Sequence, residues 1–220
     1  MRLEKASFKA IKYACLKFHY AKCVPTYSIG YSVFNDNNEW CGVVLFGGGA
    51  SVNMPTKFNL KNGQYLELNR MALNGKQSCT SKVLSIAIKL IKKECKTIKM
   101  LFSYADKGQN HNGIIYQATN WFFIEDIKSS GTEYFYKGGW KHDRGRYNWS
   151  VDFKTLPKRK KAGKYKYIYP LDKNLIPICN LLSKPYIKHA IVAHLGEQQT
   201  TSLEGAFDAT VSLNIKVKTI

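Results

Sequence analysis

The chain has 220 residues, 45% of them hydrophobic, which is enough to bury one sizeable core. No run approaches the roughly 18 uninterrupted apolar residues of a membrane span. Met1-Arg-Leu-Glu-Lys5 also lacks the apolar segment of a signal peptide, so a cytoplasmic location is expected. Lys and Arg number 34 against 15 Asp and Glu, a formal charge of +19 that exceeds what solubility asks of a domain this size and points to a polyanionic partner, nucleic acid first.

In chain order, residues 3 to 18 are predicted as an amphipathic helix, with Leu3, Ile11, Ala14, Cys15 and Phe18 on one face. The pattern stops near His19-Tyr20, and Pro25 closes off any continuation. Two apolar runs, Tyr27 to Phe34 and Trp40 to Phe46, flank Asn35-Asp-Asn-Asn38 and predict a hairpin. Gly47-Gly-Gly49 follows without the spacing of a phosphate loop, so a turn or a close backbone approach is expected there. Residues 51 to 62 read as a polar loop containing Pro55.

The strongest pattern runs from Tyr65 to Trp121. Tyr65 to Leu73 is predicted as a strand. A helix from about Ser81 to Cys95 carries Val83, Ile86, Ala87, Leu90 and Ile91 on one face, and Ile98 to Tyr104 is a second strand. A short helix over Ile114 to Asn120 then runs into Trp121-Phe-Phe-Ile124, and Thr132 to Tyr136 is a further strand. The six cysteines (Cys15, Cys23, Cys41, Cys79, Cys95 and Cys179) form no CxxC pair, which favours free thiols over a zinc ribbon.

From Gly138 the chain mixes aromatics with Lys141, His142, Arg144 and Arg146. Lys154 to Lys166 adds Lys154, Lys158, Arg159, Lys160, Lys161, Lys164 and Lys166, followed by alternating Tyr165, Tyr167 and Tyr169. Cations interleaved with rings suit a surface that follows phosphates and stacks on bases. Lysines guarding an edge strand would give the same composition. The candidate DNA-binding residues are Lys141, Arg144, Arg146, Lys158, Arg159, Lys160, Lys161 and Lys164. The tail from about His189 to Ile220 is polar and without period. Two segments are expected: an α/β catalytic domain over 1–150, and a basic extension with a polar tail over 151–220, packed on the same domain or partly loose.

Ligands of open α/β sheets bind beyond the carboxyl ends of the strands. That rule brings the loop after Leu73 and Asp106 with its following loop to one site. Asp106 is a site carboxylate or a turn residue. Arg70 sits inside an apolar strand, where a guanidinium needs a partner or a ligand. His19 either serves the site or meets a helix C-terminal dipole. Ser78, Thr80 and Ser81 stand where a helix begins, as caps or anion donors. Tyr116 is a pocket wall or core.

The order strand, loop, helix, strand, short helix, strand resembles the GNAT acyltransferase fold: a mixed central sheet flanked by helices, here with a basic, aromatic-rich C-terminal extension. In that fold the loop before the long helix carries a glycine-rich motif that grips the pyrophosphate of coenzyme A. Asn74-Gly-Lys-Gln-Ser-Cys-Thr-Ser81 holds one glycine and no GxG. Several words, in order, are similar to the Mom family of bacteriophage DNA-modification proteins. They are His19-Tyr20 with Pro25, Cys41-Gly-Val-Val-Leu-Phe46, Glu67-Leu-Asn-Arg-Met-Ala-Leu73, Ser81-Lys-Val-Leu-Ser-Ile-Ala-Ile-Lys89, Ser103-Tyr-Ala-Asp106, Gly113-Ile-Ile-Tyr-Gln-Ala-Thr-Asn-Trp121 and Tyr134-Phe-Tyr-Lys-Gly138. The match covers roughly residues 10 to 145.

That resemblance implies an enzyme that adds a carbamoylmethyl (glycinamide) group to N6 of adenine in double-stranded DNA, shielding phage DNA from restriction in the host cytoplasm. It implies His19, Tyr20, Arg70, Ser81, Asp106 and Tyr116 as functional residues. It also implies iron, with His19, Tyr20, Asp106 and Tyr116 as candidate ligands. A small-molecule donor is required, an acetyl-CoA-type donor being one candidate held by Ser78, Thr80 and Ser81. An oligomer is compatible with this reading. The alternatives are a CoA-dependent N-acyltransferase acting on a small amine or protein, and a non-catalytic DNA-binding protein.

Overall fold

Residues at the start of the chain form a strand instead of the first turn of the expected helix. β1 (Arg2–Lys5) pairs antiparallel with β2 (Ile29–Phe34), Leu3 opposite Val33. α1 (Phe8–Lys17) begins only after Ser7, whose hydroxyl accepts the Ala10 N–H at 3.2 Å. A serine satisfying an otherwise orphaned N–H fixes the helix start, and the apolar spacing alone cannot locate it. The structure, a computed structural model, describes residues 1–49, 55–129, 131–143 and 146–186, which fall within one unit spanning Met1–Lys188. The tail from about His189 lies outside the described residues.

The predicted hairpin forms between β2 and β3 (Trp40–Gly47). β4 (Tyr65–Leu73), α2 (Thr80–Glu94) and β5 (Met100–Asp106) follow close to their predicted bounds. α3 (Ile114–Gln117) is a single turn, and Asn120 adopts a left-handed φ of 59° that hands the chain to β6 (Phe122–Ile127). β7 (Thr132–Tyr136), β8 (Gly139–His142), β9 (Lys158–Lys160), β10 (Lys164–Pro170) and α4 (Ile176–Leu182) complete the elements used below.

The large sheet has the order β1-β2-β3-β4-β5-β10-β6, and a second sheet runs β8-β7-β9. Only β4 and β5 pair in parallel in the large sheet. The order explains why β3 reads as an unbroken apolar run. Val43 and Leu45 pack with Ile11, Ala14 and Cys15 of α1, while Val44 and Phe46 pack with Val83, Leu84 and Ala87 of α2. A strand covered on both faces needs no polar side. On the α1 side, Phe58 and Leu60, from the stretch expected as a polar loop, are buried with Met100, Phe102, Ile168 and Cys179.

β10, from the segment expected as an extension packed on the same domain or partly loose, is an interior strand, hydrogen-bonded to β5 on one side and β6 on the other. Its tyrosines are therefore core residues and not a base-stacking platform. Tyr167 is fully buried, and Tyr165 and Tyr169 pack against the same cluster. Lys166, only 9% exposed, points to the other face and donates to Glu125 at 3.1 Å. Alternating residues on a strand face opposite ways, so the Lys/Tyr alternation here sorts ion pair from core.

Candidate active site

β4 and β5 pair only from Tyr65–Met100 to Glu67–Phe102, although both strands run on for several residues. Where pairing stops, a bulge in β4 places Asn69 without a partner on β3, between Leu68 opposite Phe46 and Arg70 opposite Leu45. Bulges bend a strand and re-aim its side chains. The two strands diverge, and two adjoining cavities occupy the opening.

The polar cavity, about 340 Å³, is lined by His19, Tyr20, Asn69, Arg70, Asp106, Tyr116 and Lys164 among others. Five of the six residues expected to act together, His19, Tyr20, Arg70, Asp106 and Tyr116, thus meet from four separate parts of the chain. The second cavity, about 390 Å³, is lined by Met71, Leu73, Gln77, Thr80, Ala105 and residues 110–116. The two share Met71, His111, Ile115 and Tyr116.

Asp106 ends β5. Its Oδ1 accepts the Gly108 N–H at 2.9 Å, and its Oδ2 accepts the Tyr20 hydroxyl at 3.2 Å. Burial and the Asp106 carboxylate push the Tyr20 phenol up to about 12. The Arg70 Nη1 donates to the Cys23 carbonyl, while its buried Nε–H has no partner among the described residues. Among the described residues no carboxylate forms an ion pair with Arg70. A guanidinium engaged through Nη1 by the carbonyl and Sγ of Cys23 keeps donor capacity for a ligand.

His19 follows α1 and accepts the Ala21 N–H on Nδ1 at 3.1 Å. Burial, then the charges of Arg70, His111 and Lys22, lower its pKa from 6.5 to about 4. At neutral pH the imidazole is therefore uncharged, with its proton on Nε2. The unfolded chain binds a proton between pH 6.5 and about 4 that the folded chain refuses. His19 consequently removes stability as pH falls through that window and no more below it. We expect His19→Gln to flatten the fall in Tm between about pH 7 and about pH 4. Identical falls in both proteins would contradict this environment.

Tyr116 is buried, and its hydroxyl lies 2.8 Å from Ser103 Oγ. Ser103 donates to the Leu68 carbonyl at 3.0 Å, so Tyr116 is the donor of the pair. Burial holds its phenol at about 12. Its ring stacks on Tyr167 at 4.8 Å and 26°. Gly113, at φ +79°, lies directly against the Tyr167 ring, where no Cβ fits.

Sequence reasoning missed His111. It donates its backbone N–H to the Asp106 carbonyl at 3.1 Å and lines both cavities. Its signal was available, since it lies just beyond the carboxyl end of β5, where the strand-end rule places sites. Lys164, expected on a DNA surface, lines the polar cavity and sits opposite Asp106 in the β5–β10 ladder. Thr80 lines the second cavity and accepts from Gln77 Nε2 at 3.1 Å. Ser78 and Ser81 line neither cavity, and Ser81 Oγ instead lies 3.1 Å from Cys79 Sγ.

The arrangement does not suit iron. Among the described residues no three His, Cys, Asp or Glu side chains come together as a ligand group. The His19 Nδ1 is already engaged, and both candidate tyrosines are phenols held at about 12. His19, His111, Glu67 and Asp106 all line the cavity, yet they do not converge as the ligand group a ferrous triad needs. The loop before α2 does not suit a pyrophosphate either. Its Lys76 N–H is taken by Asn74 Oδ1 at 3.0 Å, the Lys76 ammonium pairs with Glu39, and the adjoining cavity is lined by no lysine or arginine.

Of the other expected DNA contacts, Lys141, Lys158, Arg159 and Lys160 lie exposed on the second sheet, and Arg159 is paired with Glu133 at 2.9 Å. Lys161 follows β9, its N–H donating to the Gly131 carbonyl at 2.9 Å. Arg144 lies outside the described residues, and for Arg146 only the backbone turn Arg146–Asn148 is described. All six cysteines are free thiols, and among the described residues no helix is long and apolar enough to cross a membrane.

The fold and the sequence both have relatives. A solved structure assigned as a phosphinothricin N-acetyltransferase is 9% identical, covers 78% of this chain and 99% of its own, and superposes with a TM-score of 0.50. A spermidine/spermine N-acetyltransferase, SpeG from Vibrio cholerae, is 7% identical and covers 80% of this chain and 98% of its own at a TM-score of 0.49. At these identities the likeness is one of fold, and the fold is the GNAT-like mixed sheet expected from the element order. Over 106 residues the chain is 32% identical to the methylcarbamoylase Mom of Escherichia phage Mu. That match spans 46% of this chain and 43% of the relative, less than half of either. The Mom protein family itself matches residues 1–188. By that match, which takes in every cavity residue named above, the chain belongs to the Mom protein family.

Proposed function

We propose that this protein is a transferase that modifies the N6 amine of adenine in double-stranded phage DNA, adding a carbamoylmethyl group in the host cytoplasm. The observation that carries this reading is the meeting of Arg70, Asp106, His19 and Tyr20 in one polar cavity that adjoins a second, less polar one. Two cavities sharing a wall suit two reactants. The polar one takes the base, and the other takes the donor. The donor cavity offers the amides of Gln77, Asn110 and Asn112 and the Thr80 hydroxyl, with no lysine or arginine, which suits a small uncharged donor group.

An adenine amine inside a duplex is out of reach, so the base must be extruded, at a cost of about a few kcal/mol. The Asp106 carboxylate, already holding the Tyr20 hydroxyl, is placed to accept an N6–H and orient the amine lone pair toward the donor. The free N–H of Arg70 is a donor for a carbonyl or ring nitrogen. As the N6–carbon bond forms, the bond from that carbon to the rest of the donor breaks, its electron pair leaving with the donor remnant, and N6 releases a proton. His111, at the junction of the cavities, is the imidazole placed to take it. His19, uncharged and donating from Nε2, serves as a hydrogen-bond donor and not as the base.

DNA from bacteria expressing the chain is expected to resist endonucleases whose sites contain adenine. Cleavage unchanged from that of control DNA would argue against the reading. A CoA-independent N-acyltransferase acting on a small amine is the second reading, favoured by the uncharged second cavity. Turnover of a free amine without DNA would support it.

A further inference from the structure

Outside the large sheet, β8-β7-β9 forms a small three-stranded sheet whose two faces differ in kind. Residues directly opposite each other in an antiparallel ladder share a face. Glu133 is opposite both His142 and Arg159, and Phe135 is opposite Trp140. That face is internally neutralised: Arg159 donates to Glu133 at 2.9 Å, and its guanidinium lies 4.3 Å over the Trp140 ring. The other face carries Tyr134 between Lys141 and Lys158, with Lys160 opposite Thr132. These three lysines are exposed, and among the described residues no carboxylate pairs with them.

The lysine face is also ribbed with rings. Tyr134 meets Trp149 and Phe153 edge-on at 6.0 and 5.5 Å, and Trp149 stacks on Tyr136 at 4.8 Å and 11°. The rings brace one another, so the lysines project from a stiff platform and not from a loop. Beside them a groove of about 630 Å³ is lined by Ser129, Gly131, Thr132, Tyr134, Lys158 and Lys160, cations together with hydroxyls and, among the described residues, no carboxylate. Lysines two residues apart on a strand stand about 7 Å apart, so a single polyanionic strand can engage both.

We propose that this face of the small sheet, through Lys141, Lys158 and Lys160, is a backbone-tracking surface for DNA, gripping phosphates that flank the base held in the polar cavity. The inference rests on the reading of DNA as substrate and sharpens it. On the described strands of the small sheet, Lys141, Lys158 and Lys160 are the cations of this face. Arg159 and Lys166 serve folded ion pairs, and Lys164 serves the cavity. Phosphate contacts position a protein on DNA without reading sequence, which fits lysines held as point charges on a flat sheet.

The test is the salt dependence of binding to a short adenine-containing duplex, followed by fluorescence anisotropy with the full chain. Each phosphate contact contributes about 0.9 to the slope of log K against log salt. The triple Lys141/Lys158/Lys160→Gln variant is expected to reduce the slope by about 2 to 3. The triple Lys→Arg variant should keep it, and Arg159→Gln should change it by less than about 0.5. Thermal melts of each variant check that folding is intact. A folded Gln variant with the wild-type slope would overturn the inference and leave DNA as the substrate. Aggregation of that variant with an unchanged slope would do the same, marking the lysines as edge guards. Wild-type protein with no salt-dependent duplex binding would instead sink the substrate reading. Lysine-dependent binding to phosphatidylserine vesicles in place of duplex would reassign the face to a membrane.

Discussion

Asp106→Asn lowers adenine modification by at least about a hundredfold, while binding to duplex DNA stays close to wild type. This is the largest functional effect expected here. The substitution is isosteric and keeps one oxygen for the Gly108 N–H, so the turn after β5 survives. The other oxygen, which accepts from Tyr20, becomes an amide N–H2 facing a hydroxyl donor. The cavity loses the charge of Asp106 and, with it, the carboxylate acceptor placed for an incoming amine. Asp106→Glu, which restores charge but moves it by one methylene, is expected to recover only part of the rate, because orientation and not charge alone is required. Single-turnover rates on an adenine-containing duplex, with anisotropy for binding, separate the two effects. A fast Asp106→Asn enzyme would remove Asp106 from the chemistry.

Gly113→Ala has the largest expected effect on the fold. At φ +79° a side chain is strained by about 1 to 2 kcal/mol. Here the new Cβ would also fall within the Tyr167 ring. Overpacking typically adds about 1 to 3 kcal/mol, so urea unfolding should show a loss of about 2 to 5 kcal/mol. The displaced Tyr167 is the ring on which Tyr116 stacks, and Tyr116 walls both cavities, so activity should fall with stability. Gly75→Ala is the matched control. Its φ is +87°, but no atom lies within 4 Å of the added carbon, so only the backbone cost applies. Equal losses at the two glycines would contradict the packing described around Tyr167.

The elements from Tyr65 to Asp106 were legible because each carries a clear pattern: Leu66 and Leu68 alternate with polar neighbours in β4, β5 is an apolar run, and α2 has one apolar stripe. β10 was not. Its Lys/Tyr alternation is the pattern of a half-exposed edge, and only pairing with β5 and β6 turns its tyrosines inward. β1 escaped for a similar reason, since Leu3 fits a helical face and a strand face equally until Ser7 is seen as the cap.

At the site, Asp106 followed from the strand-end rule, and Arg70 stood out as a charge in an apolar strand. His19, Tyr20 and Tyr116 carried weight only through family resemblance, because their convergence depends on how α1, β5 and α3 pack. Ser81 has a serine's usual place at a helix start. The rotation of α2 nonetheless turns Thr80, one residue earlier, toward the cavity. His111 lies beyond the carboxyl end of β5, where the strand-end rule looks, but no motif singles it out within that loop. Its importance lies in lining two cavities at once, which no spacing in the chain records.

The most direct test of the central claim is mass spectrometry of nucleosides from the DNA of bacteria expressing the chain, beside an Asp106→Asn control. A deoxyadenosine heavier by one carbamoylmethyl group, present with the wild-type chain and absent with Asp106→Asn, is the predicted result. Unmodified deoxyadenosine from cells rich in folded wild-type protein, or the same modification in both strains, would contradict it.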